Sequence, residues 1–248
     1  MLIHLDARRD VMKAGSPEQT LKFCADHFLK IYKESLSQHG SFSVALSGGS
    51  TPKALFSLLT KEPYASEFDW SKVFLFWGDE RAVGPNDPES NFHMAMEAGF
   101  SEVSIPESHI HRMVAEQDIE ENALKYEALI QSHLKGRGFD LVVLGMGEDG
   151  HTASLFPDTE GLNVKGRLVI ANYVPQKDTW RMTLTFECIN KARHIAIYVL
   201  GASKQEMLKK TLSGQGLYPI ENIGTESHKA LWIVDDAAAE LLTLKKRN

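Results

Sequence analysis

The sequence predicts an α/β protein: a mostly parallel sheet with helices on both faces, forming a single domain over residues 1–248. Short apolar runs such as FDLVVL at 139–144 recur along the chain and have the composition of buried parallel strands. Amphipathic helical stretches lie between them, so strands and helices alternate from end to end. Two of the runs open into glycine-rich loops, at the strand ends where open α/β sheets place their ligands.

Taken in order, Ser16-Pro17-Glu18-Gln19 combines an N-cap serine, a proline in the first turn and a glutamine that closes a capping box. Leu21, Cys24, Phe28 and Ile31 then make an apolar stripe at spacings of three and four, and Gly40 marks the stop. Ser41 to Leu46 reads as a strand. It is followed by Ser47-Gly48-Gly49-Ser50-Thr51 and a helix expected to begin at Pro52. Backbone N–H groups at such a helix start, with hydroxyls beside them, form an anion site suited to phosphate; a plain tight turn is the other reading. The spacing is not that of a Walker A loop.

Lys72 to Trp77 is the next strand, and Gly78-Asp79-Glu80-Arg81 follows it directly, either at the ligand edge or as a surface turn with an internal ion pair. Asp87-Pro88 is expected to cap a short helix through Ser90-Asn91-Phe92-His93. His109-Ile110-His111 has a metal-like spacing, but no third ligand is placed by the sequence. Ile119, Ala123, Tyr126, Ile130 and Leu134 define a helix leading to the 139–144 strand.

That strand opens into GMGEDGHTASLFP at 145–157, where Asp149 stands two residues before His151, close enough to orient or charge-tune the imidazole. In Arg181 to Phe186, alternation puts Met182, Leu184 and Phe186 on one face and Arg181, Thr183 and Thr185 on the other, so Arg181 is expected in a polar cleft. His194 to Leu200 is a further strand. After it, Gly201-Ala202-Ser203-Lys204-Gln205-Glu206 reads as an S-x-x-E helix start with Lys204 in the first turn, binding an anion or simply solvated. Ser213 to Gly224 reads as a long surface loop, Leu231 to Val234 as the last strand, and Asp235-Asp236 with Ala237 to Leu242 as a capped helix.

Composition narrows the function. Hydrophobic residues at 43% and charged residues at 24% are those of a folded globular chain. The net charge of −6, with basic residues scattered except for Lys245-Lys246-Arg247, gives no footprint for nucleic acid. The N-terminus lacks the apolar core of a signal peptide and no run is long enough to span a bilayer, so a cytoplasmic location with no membrane partner is expected. The two cysteines, Cys24 and Cys188, suit packing better than a metal or a disulfide framework. The sequence does not fix an oligomeric state, with a monomer favoured over an assembly.

At SGGSTP, WGDER, GMGEDGHTASLFP, RMTLTF and GASK the chain resembles the glucosamine-6-phosphate isomerase/6-phosphogluconolactonase family, on its lactonase branch, over nearly its whole length. The resemblance implies a Rossmann-like single domain and a cytoplasmic role in the pentose phosphate pathway. The implied reaction is hydrolysis of 6-phospho-D-glucono-1,5-lactone to 6-phosphogluconate without metal or cofactor, the sugar phosphate lactone being the only partner. It also implies His151 as the catalytic histidine with Asp149 and Gly150 beside it, and Gly48, Gly49, Ser50 and Thr51 as the glycine loop. Asp79 and Arg81 become the acid and base of the GDER turn, and Arg181 and Lys204 the cationic substrate contacts. The deaminase branch differs by an I-A-F-N-E-P type sequence after the glycine-histidine pair and by a tyrosine where Arg81 stands.

The chemistry expected of these residues is a water deprotonated by His151, with the developing oxyanion met by loop N–H groups or Arg81, and the ring oxygen protonated by the resulting imidazolium. An amino-sugar-phosphate deaminase or isomerase with Asp79 as carbon base, and a non-catalytic sugar-phosphate sensor, are the alternatives.

Overall fold

The computed structural model describes residues 1–242; the basic Lys245-Lys246-Arg247 lies outside them. In chain order the regular elements begin with β1 (Leu2–His4), β2 (Arg9–Lys13), α1 (Pro17–His39), β3 (Phe42–Leu46) and α2 (Ser50–Leu59). They continue through β4 (Val73–Trp77), β5 (Asp79–Arg81), α3 (Asn91–Glu97), β6 (Ile110–His111), α4 (Ile119–Leu134) and β7 (Leu141–Gly145). The last are β8 (Val169–Val174), β9 (Thr179–Leu184), α5 (Phe186–Asn190), β10 (His194–Val199), α6 (Gln205–Leu212) and β11 (Ala230–Val234).

The main sheet has eight strands in the order β1-β2-β11-β10-β7-β3-β4-β6, parallel everywhere except at the β1–β2 hairpin. The chain builds outward from β3 through β4 to β6, crosses back to β7, and builds outward the other way through β10 to β11. The order therefore reverses between β3 and β7. These two strands pair only at Val44 with Leu141 and Ala45 with Val142, so beyond those residues they part and leave a crevice at their carboxyl ends. Both are buried along their apolar runs, which is why neither shows the alternating pattern of a half-exposed strand.

Local chemistry accounts for the long helix. Ser16 Oγ accepts from the Gln19 N–H, and the Gln19 side chain accepts from the Ser16 N–H, closing the capping box, while Gly40 ends the helix in the left-handed region. α1 packs beside α2 and against β3 and β11.

Several boundaries differ from expectation. The second helix starts at Ser50, so Pro52 is its third residue. The short helix α3 is capped by Ser90, not Asp87, whose carboxylate instead accepts from the Glu89 N–H in the preceding turn. β9 ends at Leu184: Thr185 is the N-cap of α5 and is fully buried, so the 181–186 alternation breaks at its last two positions. α6 begins after a 3-10 turn at Ala202–Lys204 with Lys204 at its N-cap, and no side chain caps it, so the S-x-x-E pattern is not used. Residues 236–241 form turns, not an α-helix, around the buried Asp235.

The 213–224 stretch is not a plain surface loop. It carries a 3-10 turn at Pro219–Asn222, buries Ile220 and Ile223, and orders its own approach through Glu221, which accepts from the N–H groups of Gly216, Leu217 and Tyr218. A second sheet, β5-β9-β8, antiparallel throughout, projects from the end of β4 and shares the main core through Val169, Met182 and Leu184.

Candidate active site

The crevice between β3 and β7 widens into a cavity of about 630 Å³ lined by the loops after β3 and β7 and by β5 and β9. Of the residues singled out from the sequence, Gly48, Gly49, Asp79, Arg81, His151 and Arg181 line it. Asp149 and Gly150 stand behind His151. Ser50 and Thr51 form the first turn of α2, and Lys204 sits beyond β10, off the cavity wall.

The loop after β7 folds back on itself: the Gly147 N–H donates to the His151 carbonyl at 2.9 Å and the Gly150 N–H to the Gly147 carbonyl at 3.2 Å. Glycine is required at 147, because a Cβ there would lie 2.1 Å from His151 Nδ1. That nitrogen is 2.5 Å from Asp149 Oδ1. An ionised carboxylate only accepts, so it selects the neutral tautomer that carries its proton on Nδ1 and its lone pair on Nε2. Burial alone would raise the Asp149 carboxyl, but the His151 hydrogen bond and charge outweigh it and hold the group below its ordinary range. The Phe156 ring stacks on the imidazole at 3.9 Å between centroids and 18° between planes. Beneath the loop, the Ile220 N–H donates to the Gly150 carbonyl at 3.1 Å, so the 213–224 segment supports the histidine turn.

Strand alternation sends Asp79 and Arg81 to one face of β5 and Glu80 to the other. Asp79 Oδ2 accepts from Ser154 Oγ at 2.7 Å and Oδ1 from Asn91 Nδ2 at 3.3 Å, tying the β5 turn to the histidine loop. Gly48 admits that same Asn91 side chain, which a Cβ would meet at 1.9 Å. Glu80 was not singled out from the sequence, yet its buried carboxylate accepts from the N–H groups of Arg81, Asn91 and Phe92 and from Ser90 Oγ. It anchors the start of α3, and burial pushes its carboxyl above the ordinary value against those bonds. The signal available was the same two-residue alternation.

Arg81 and Arg181 are register partners across β5 and β9. The carboxylate-paired arginines among the described residues are Arg9, Arg112, Arg167 and Arg193. Arg81 and Arg181 have no such partner, and the Nε of each is buried without a hydrogen bond, although Arg81 also donates to the Glu89 carbonyl. Burial and the neighbouring Arg81 charge both lower the pKa of Arg181. Two guanidinium groups in this state form a site for an anion. Lys177, exposed on the β8–β9 turn, also lines the cavity and was missed, since a lone lysine in a turn carries no sequence signal. Gly49 caps α2 without a side-chain hydrogen bond, leaving the helix start open to an anion.

The His109 and His111 spacing serves packing: His109 stacks on Phe74, and His111 lies against Phe76 with the rings tilted by 39°. Among the described residues, no three or more His, Cys, Asp or Glu are grouped to hold a metal. Cys24 and Cys188 are buried free thiols, both pushed up to about 12 chiefly by burial. Among the described residues no helix is long and apolar enough to cross a membrane.

A family model described as glucosamine-6-phosphate isomerases/6-phosphogluconolactonase matches residues 15–232. The chain is 40% identical to the 6-phosphogluconolactonase of Chlamydia trachomatis serovar D, covering 94% of this chain and 90% of that one. It is 35% identical to that of Chlamydia pneumoniae, covering 97% and 93%. The solved 6-phosphogluconolactonase from Trypanosoma cruzi superposes with a TM-score of 0.86 at 28% identity, over 97% of this chain and 99% of that one. With a doubly wound fold, a histidine loop at its switch point and relatives matched along almost the full length, the chain belongs to the glucosamine-6-phosphate isomerase/6-phosphogluconolactonase family.

Proposed function

We propose that this protein hydrolyses 6-phospho-D-glucono-1,5-lactone to 6-phosphogluconate in the cytoplasm, as the lactonase step of the oxidative pentose phosphate pathway. The observation that carries the reading is His151, with Nδ1 fixed by Asp149 and Nε2 unengaged in a cavity that also holds two unpaired arginines.

In this mechanism Nε2 takes a proton from water as its oxygen attacks C1 of the lactone. The charge that develops on the carbonyl oxygen is met by Arg81. As the tetrahedral intermediate collapses, the C1–O5 bond breaks and the imidazolium returns its proton to the ring oxygen, giving a free C5 hydroxyl and a carboxylic acid that then loses its proton to solvent. Asp149 keeps the imidazole in one tautomer and stabilises its charged form. The phosphate is read by Arg181 and the open start of α2 at Gly48 to Thr51, with Lys204 at the outer edge of the same sheet end.

Asp79 argues against the isomerase reading, because each of its oxygens already accepts a hydrogen bond, from Ser154 and Asn91, as suits a bracing group better than a carbon base. The test is lactone generated in place from glucose 6-phosphate, with hydrolysis measured above the spontaneous rate. Failure to accelerate it, with ammonia released from glucosamine 6-phosphate, would overturn the assignment.

A further inference from the structure

Phe156 has no assigned part in the chemistry, yet its ring stacks directly on the His151 imidazole. Its ring is 4% exposed, lines the cavity and lies nearly parallel to His151 at a centroid distance of 3.9 Å. The backbone of Gly147 fits against the imidazole at Nδ1 and Cε1, and Asp149 holds Nδ1, so Phe156 supplies the remaining wall. The turn behind it is tied down as well, since Gln176 Nε2 donates to the Pro157 carbonyl at 2.7 Å.

We propose that Phe156 is a positioning residue for His151, its ring face fixing the plane of the imidazole and favouring the imidazolium formed when water is deprotonated. The inference rests on His151 being the general base. An aromatic face attracts a cation within about 6 Å of its centroid. The same ring also shields the imidazole from water, which disfavours charge. An aliphatic side chain of similar bulk shields without attracting, so replacing one by the other isolates the attraction.

The other ionisable groups facing His151 stay constant in that exchange. They are Asp149 on its own loop, Asp79 and Arg81 from β5, Glu89 from the turn before α3, Arg181 from β9, Lys177 from the β8–β9 turn, and Tyr218 behind Gly150.

The test compares wild type with Phe156→Leu, Phe156→Tyr and Phe156→pentafluorophenylalanine, the last keeping the ring's shape while inverting the sign of its face. The His151 ring proton is titrated by NMR, and kcat and KM are measured across pH. In the leucine and fluorinated proteins the His151 midpoint should fall by about half a pH unit. The acid limb of kcat/KM should move down with it, because more acid is then needed to protonate the base. A displacement of about 1 Å costs roughly 100-fold, so a ring that has lost one wall but kept Asp149 should lose about 3- to 10-fold in kcat with KM within about twofold. Tyrosine should restore wild-type values.

A midpoint and acid limb unmoved in the fluorinated protein, which needs no repacking, would overturn the proposal even if the leucine variant fails to fold. Loss of activity in all three variants with no change in titration would also overturn it. A failure of the parent reading is separate: His151→Ala would stay active, while the NMR titration would still report on Phe156.

Discussion

Two groups of histidines stand on one sheet and meet different fates. At the β3–β7 crevice, His151 stacks on Phe156 and is bonded to Asp149 through Nδ1. At the β6 edge, His109 stacks on Phe74, His111 packs at a tilt against Phe76, and the His133 ring lies 5.9 Å from that of His111. The aromatic contact is common to both places. What separates them is the charge next to the ring and the opening in front of it. His111 is held down at about 4, first by burial and then by His133 and His109, and His109 leaves its Nδ1 buried without a partner. A carboxylate on one nitrogen and a cavity on the other suit His151 to the base role proposed for it; aromatic packing among other histidines makes His109 and His111 part of the core.

The sharpest way to break this distinction is to exchange the two sites' losses. His151→Ala should lower kcat by about 10² to 10⁴-fold with the fold intact, as expected for removal of a general base. His111→Phe should leave kcat within about twofold of wild type. Comparable losses from both would erase the difference.

Next in size is the carboxylate. Asp149→Asn can donate to Nδ1 and so favour the wrong tautomer, and a loss of about 10²-fold in kcat is expected, less than for a fully buried partner because Asp149 is partly exposed. A near-normal rate would show that the loop backbone alone orients the ring.

Arg181→Ala should cost about 10 to 100-fold in kcat/KM on the phosphorylated lactone and far less on unphosphorylated glucono-1,5-lactone, since a charge-assisted hydrogen bond is worth roughly 1.5 to 3 kcal/mol. Lys204→Ala, off the cavity wall, should lose only a few-fold. Equal losses on both lactones would move Arg181 from phosphate to carbonyl.

The smallest effect concerns stability. Because His111 and His27 are both held at about 4 in the folded chain, the unfolded chain binds more protons between about pH 6.5 and pH 4. Stability should therefore fall as pH drops through that window. His111→Phe should flatten that slope when stability is measured by denaturant titration across the window.

The frame of this molecule was legible because its rules are local. A capping box, an apolar stripe and a glycine stop identify α1, and glycine loops after β3 and β7 identify the crevice. The rest depends on pairing across the chain. Asp79-Glu80-Arg81 has no apolar pattern, and only its partner β9 makes it a strand. Arg181 was legible as a cleft residue, but its pairing opposite Arg81 was not. Lys204 looked like a ligand contact because it opposes the helix dipole, yet nothing in the sequence sets how far a helix start stands from a cavity. The support that the 213–224 segment gives the histidine turn was invisible for the same reason.

The meeting of β3 and β7 at the centre of the sheet also sets when the protein becomes active. Their pairing joins residues about a hundred positions apart, and contacts of that span form late because a long loop must close first. His151 is synthesised before Arg181, so a nascent chain carries the proposed base before it has the opposite wall. Activity regained during refolding should accordingly track the slowest structural phase and show no earlier partial burst.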